Sequence, residues 1–140
     1  MSGDRCPVTK KTRRGYDRVL GDGPAYPDAG YFHQGTTLEA EPRQRTRDGG
    51  YAIKVRWFVI GYDGPLLFRA GGLDGHGRAR VDPLYTSRDA DGGVIVTGPV
   101  RDLPAVTVVD GPGCYGYQVD GIDFSTVIVF RVVAPGAREA

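Results

Sequence analysis

Apolar and polar side chains alternate along most of the chain after residue 50. In YAIKVRWFVIGY (51–62), Ile53, Val55, Trp57 and Val59 fall on one face of an extended strand, and Lys54 and Arg56 begin the other. A period of two marks a half-buried strand. Phe58 and Ile60 then fill the outer face, so the strand is expected to be covered on both sides toward its end. Further strands are predicted at PLLFRA (65–70), GRARVDP (77–83), GGVIVTGPV (92–100), AVTVVD (105–110), CYGYQV (114–119) and STVIVFRVV (125–133). Gly- and Asp-Gly-rich breaks separate them at 63–64, 71–72, 74–77, 89–93, 111–113 and 120–121, where positive-φ turn positions are needed. Strands at this spacing, with no sustained helical period, predict an all-β sandwich or small barrel of seven to eight strands. The predicted core is Ile53, Val55, Trp57, Val59, Leu67, Val94, Val96, Val106, Val108, Tyr117, Val119, Ile128, Phe130 and Val132.

The N-terminal part reads differently. TTLEAEPRQRTRDGGYAIKVRWFVIGY (36–62) predicts a hairpin about Asp48-Gly49-Gly50, with Pro42 marking an edge strand or bulge in its first arm. Residues 1–35 are poor in apolar side chains, and GDGPAYPDAG (21–30) reads as successive turns. They predict an extended arm laid over a sandwich of residues 36–140, one domain overall, with at most a short strand or turn of helix in the arm.

Composition agrees with strands and turns. Gly (22) and Pro (10) are abundant and follow no fixed period, while the helix formers Met (one), Gln, Glu and Lys (three each) are scarce. The net charge of +1 is too small by itself to imply a nucleic-acid or membrane partner. Residues 1–56 hold 11 of the 18 Lys/Arg and 7 of the 17 Asp/Glu, a local +4, which leaves −3 for the rest. No apolar run approaches the roughly 18 residues that a membrane-crossing helix needs. MSGDRCPVTKK has no apolar segment of the signal-peptide kind, which leaves a cytoplasmic chain or a mature secreted fragment behind a start Met.

Cys6 and Cys114 are the two cysteines. Three readings stand: a disulfide tying the arm to the start of a core strand, a pair of free thiols, or a nucleophile at Cys114. A nucleophile needs a base, and only His33 and His76 are available, neither in a recognisable signature. The even count without CxxC or zinc spacing favours the disulfide, and with it an oxidising compartment. Metal chemistry would draw on His33, His76 and nearby aspartates in LDGHG (73–77) and DADGG (89–93), but the ligand sets are incomplete and no cofactor is predicted. Ser2, Ser87 and Ser125 lie outside any GxSxG, and no carboxylate pair stands out, so no catalytic residue is assigned.

Two surfaces could bind a partner. If residues 43–47 are extended, Arg43, Arg45 and Arg47 share a face, and Lys54 and Arg56 on the partner arm could extend it. With KKTRR (10–14), such a ridge suits an anionic polymer, although a solvated, charge-protected edge is the simpler reading. Tyr26, Tyr31 and Phe32 in the Gly/Pro-rich arm, with Tyr62 and Tyr85 at strand ends, could form a carbohydrate-stacking platform or pack loops onto the core.

PGCYGYQVDGIDFSTVIVFR (112–131) resembles the C-terminal signature of small secreted proteins and lipoproteins of Gram-positive bacteria, especially actinobacteria. RCPVT (5–9) is similar to their N-terminal motif, and KVRWFVIGYDGPLLFRAGGLDG (54–75) to their middle region. The three blocks cover about half the chain. The resemblance implies an immunoglobulin-like antiparallel sandwich, a Cys6–Cys114 bridge and export to the cell envelope, and it carries no catalytic residue with it. Tyr115 stands where relatives often have Trp. The expected function is a non-enzymatic extracellular or envelope binding module for a protein or glycan, with nucleic acid disfavoured. The alternatives are an assembly subunit using edge strands and the arm, or a small hydrolase or metal-dependent enzyme on His33 and His76.

Overall fold

The structure, a computed structural model, describes residues 6–14, 17–75, 77–83, 87–88, 93–97 and 99–136. It is all-β, built from layers packed face to face around one apolar core. Its strands are β1 (Lys11–Arg14), β2 (Asp17–Leu20), β3 (Ala25–Pro27), β4 (Thr37–Glu39), β5 (Tyr51–Lys54), β6 (Trp57–Val59), β7 (Leu66–Gly72), β8 (Ala79–Pro83), β9 (Ser87–Arg88), β10 (Val94–Val96), β11 (Asp102–Leu103), β12 (Ala105–Val109), β13 (Gly113–Asp120) and β14 (Ser125–Val133).

One layer is a six-stranded sheet in the order β4-β14-β13-β7-β10-β9, with β4 parallel to β14 and the other pairs antiparallel. The opposite layer consists of β11-β6-β3 and β5-β12-β8. These two short sheets share one register. Lys54 faces Val106 and Trp57 faces Leu103, so Arg56 falls opposite Pro104. Proline has no N–H to give the ladder, which accounts for the break between β5 and β6 and between β11 and β12. Val55 N–H still donates to Ala105 O at 3.1 Å, holding the halves in line.

The core is aromatic at its centre. Trp57 meets Phe68 and Tyr117 edge-on at 5.0 and 4.9 Å between ring centroids, and Tyr117 stacks on Phe130 at 4.5 Å. The edge-to-face arrangement aligns ring hydrogens with the negative face of the partner ring. Tyr115 and Phe32 also pack against Phe130. Across the layers, the buried hydroxyls of Thr107 on β12 and Tyr117 on β13 pair at 2.7 Å.

That contact bears on which face of β12 turns inward. Val106 and Val108 are expected inside from the sequence; Val108 is buried and Val106 only half-buried, while Ala105, Thr107 and Val109 are buried on the other face, Thr107 fully. A one-residue shift in a period of two moves every side chain to the other face. The polar Thr107 is admitted because Tyr117 satisfies it. On β7, likewise, Leu66 and Phe68 are buried and Leu67 is only partly so.

The Asp48-Gly49-Gly50 turn is present: Gly49 has φ 91°, and Thr46 N–H donates to Gly50 O at 2.9 Å. The long hairpin around it is not. The first arm pairs with β5 only through an Arg45–Tyr51 bridge, and β4 crosses to β14 in the other layer. The arm is also more structured than expected. β3 joins β6, and Leu20, Ala25, Ala29 and Phe32 belong to the core. Cys6 is disulfide-bonded to Cys114 across 108 positions of sequence, with both sulfurs' residues buried, so the arm is stapled to the start of β13.

Candidate functional site

GRARVDP borders a concavity in the surface. Its period-2 pattern sets Ala79 and Val81 toward the interior and Arg80 and Asp82 outward, with Arg78 just before the strand. β8 is an edge strand of its sheet and ends on Pro83. The cavity measures about 480 Å³ and is bounded by β7, β8, the end of β12 and the 46–50 turn. Val108, Ala70 and Ala79 supply an apolar floor. Gly50 lets the turn close against β12: a Cβ there would stand 3.0 Å from Val109 O.

The three arginines of the lining are each paired with an aspartate. Asp110 Oδ2 accepts from the Arg78 backbone N–H at 2.9 Å and from Arg78 Nε at 3.5 Å, while Asp110 N–H donates to Arg78 O at 3.0 Å. Arg80 Nε donates to Asp82 Oδ2 at 3.0 Å. Arg69 Nη1 reaches Asp120 Oδ2 at 3.4 Å. Asp120 is also hydrogen-bonded by Ser125 at 2.6 Å and by Gln118, and the Ser125 bond foremost holds its carboxyl below the ordinary range.

A guanidinium has five N–H donors, and Arg78 and Arg80 each give one side-chain donor to an aspartate. Among the described residues, no acceptor meets the Nη groups of either. The Arg78 side chain is 92% exposed and that of Arg80 47%. With Asp48 and Asp110 also on the lining, the rim alternates donors and acceptors instead of presenting one sign of charge.

The residues singled out from the sequence fall elsewhere. Pro42 opens a 3-10 turn, Pro42–Gln44, capped by Glu41, so Arg43, Arg45 and Arg47 do not share a strand face. Arg43 pairs with Glu41 at 3.0 Å, Arg45 donates to Tyr51 Oη at 3.0 Å, and Arg47 and Lys54 are exposed. Arg56 forks onto Asp102 at 2.8 and 2.6 Å and lies 4.6 Å over the Phe58 ring. That fork lowers the Asp102 carboxyl and raises the guanidinium further. The expected cationic ridge is therefore divided among local partners.

Tyr26 and Phe32 are core side chains, and of the three arm aromatics only Tyr31 is exposed. His33 sits beside the largely buried Glu39, with Nε2 3.6 Å from Oε1. His76, Tyr85 and Asp89 to Gly92 lie outside the described residues. Asp74 Oδ2 accepts from Cys114 N–H at 3.1 Å. Among the described residues, no three His, Cys, Asp or Glu side chains are placed to hold a metal ion, and no helix is long and apolar enough to cross a membrane. The lining residues Arg78, Arg80 and Asp110 escaped sequence reading, although the Arg-x-Arg alternation of GRARVDP was a visible trace. Comparisons with family models, with curated proteins and with solved structures find no match.

Proposed function

We propose that this protein is a non-enzymatic binding module of an oxidising, extracytoplasmic compartment, and that the cavity beside β8 takes a neutral glycan. The carrying observation is the rim of paired Arg and Asp side chains above an apolar floor. A sugar hydroxyl both donates and accepts, so it can bridge an Arg Nη donor and the neighbouring carboxylate. The C–H face of the ring can rest on Val108, Ala70 and Ala79. Charge-assisted hydrogen bonds of this kind are stronger than neutral ones. A cavity of about 480 Å³ falls within the range of small-ligand sites.

Two further features support the setting. The Cys6–Cys114 bridge suits an oxidising compartment. An immunoglobulin-like sandwich is supported by β4 lying parallel on the outer side of β14, and by Tyr115 Oη donating to Gly111 O at 2.7 Å, in the manner of a tyrosine corner. One feature departs from that pattern: β8 joins the smaller layer before β9 and β10 complete the larger one.

Titration of the labelled protein with neutral oligosaccharides of several linkages, followed by amide shifts, tests the reading. Shifts centred on Arg78, Arg80 and Asp110, abolished by Arg78→Ser/Arg80→Ser, are expected. Shifts elsewhere, or none across the panel, overturn it.

A further inference from the structure

We infer that the β1–β2 ribbon is a second binding element, independent of the β8 cavity, and that it takes a linear anionic glycopolymer carrying one carboxylate, sulfate or phosphodiester per repeat. Residues 10–18 contain five cations (Lys10, Lys11, Arg13, Arg14 and Arg18) and one anion, Asp17, a net +4. The whole chain carries +1, so everything outside the ribbon sums to −3. A charge distribution this segregated steers a polyanion to one pole and repels it from the rest of the surface.

The fold isolates the ribbon and anchors its base. Among the described residues β1 and β2 form a separate two-stranded sheet. Val19 and Leu20 are fully buried, and a bridge joins Val19 to Asp28. Thr9 N–H donates to Val129 O at 2.8 Å, and Val129 N–H donates back to Thr9 Oγ1 at 2.8 Å. The disulfide at Cys6 fastens the chain just upstream. From this base, Lys10, Lys11, Thr12 and Arg18 are exposed. Gly35 leaves room for the Lys11 stem, since a Cβ there would stand 2.8 Å from Lys11 Cδ. The register sets Arg13 directly opposite Arg18.

The chemistry narrows the partner. The exposed described side chains of the ribbon include no large apolar group to enter a bilayer. The adjoining disulfide suits the oxidising compartment proposed above, on which the choice of partner rests; anionic polysaccharides and wall polymers are abundant polyanions there. Linear polymers bind such elements by counterion release, with affinity falling as a power of salt concentration.

The probes are polygalacturonate and heparin, measured by calorimetry on the intact disulfide-bonded protein. With about four charges neutralised at a single-strand slope of about 0.7 each, affinity should fall roughly 50-fold between about 50 and 200 mM salt. Lys11→Gln/Arg13→Gln/Arg18→Gln should reduce that dependence to roughly threefold and weaken binding. Lys11→Arg/Arg13→Lys/Arg18→Lys, which keeps charge and fold, should bind as the native protein does. Arg78→Ser/Arg80→Ser should leave polymer binding intact, which separates this inference from the cavity's glycan reading. Unchanged affinity in the triple Gln variant, or salt-independent binding, overturns the site. Tighter binding to duplex DNA at equal charge concentration, or to vesicles of phosphatidylcholine with phosphatidylglycerol, overturns the assigned partner.

Discussion

The stapled aromatic wall and the mouth beside β8 use polar groups in opposite ways. In the wall, the hydroxyls of Thr107 and Tyr117 satisfy each other at 2.7 Å, Tyr115 is tied to Gly111 O, and Trp57, Phe68 and Phe130 fill the space between. At the mouth, Arg78 and Arg80 are oriented by aspartates but keep donors in hand, and their side chains stay largely in water. Buried polar groups must be paired inside the protein, whereas exposed ones can be held in place and still be offered to a ligand. Stability should therefore concentrate in the wall and recognition at the mouth.

The largest blow to that division should come from Trp57→Ala. It empties the centre of the aromatic cluster, and buried Trp truncations cost about 3–5 kcal/mol; denaturant unfolding should show a matching fall in midpoint. Next comes the staple. Cys6→Ala/Cys114→Ala opens a loop spanning 108 positions, for which the chain-entropy model gives about 4.7 kcal/mol and removals typically measure about 2–5. If the bridge acts as the base of the β1–β2 ribbon, hydrogen exchange in residues 6–12 should rise more than in β13.

A subtler break is Tyr117→Phe. It keeps the ring stack but leaves the Thr107 hydroxyl buried without its partner, at a cost of about 1–3 kcal/mol. It also changes the response to alkali. Burial, foremost, raises both the Tyr115 and Tyr117 phenols above their ordinary value. Above about pH 10 the unfolded chain releases these protons while the folded state retains them, so the folded state binds more protons and stability falls as pH rises. Below that pH the contribution is fully present. Tyr117→Phe should flatten the alkaline limb of a melting-temperature profile, leaving the part due to Tyr115.

The wall was largely legible in the sequence and the mouth was not. Strand β14 runs Ser125–Val133, the stretch its apolar alternation marks, and Ile128, Phe130 and Val132 face inward as the period requires. On β12 local pattern captured Val108 but missed Ala105, Thr107 and Val109, because AVTVVD offers apolar residues on both faces and the burial of Thr107 rests on Tyr117 reaching it from the other layer. The parallel β4–β14 pairing has no local signature, since three residues of β4 carry it. The Arg43, Arg45 and Arg47 alternation was real in sequence, but Pro42 and the Glu41 cap turn that segment into a 3-10 turn. Arg78 gains its carboxylate partner only through Asp110, which arrives from 32 positions away by the register of β12 on β8.

The smallest stability effect, and the sharpest test of the contrast, belongs to Arg78→Ser/Arg80→Ser. Both side chains lie at the surface, and each meets a single aspartate through Nε. Exposed pairs contribute little, because water already solvates both charges and ordering long side chains opposes the contact. Surface substitutions away from caps and core usually fall within about 0.5 kcal/mol. The double variant should therefore unfold at nearly the native denaturant midpoint. The Arg78 backbone contacts with Asp110 survive the change, since they run through Arg78 N–H and O, so β8 should keep its register and its amide protection. A large loss of stability would mean that the arginines hold the two layers together, and the mouth would then belong to the wall. Native stability with lost glycan-induced shifts would leave the two regions with the separate roles that their hydrogen bonding assigns them.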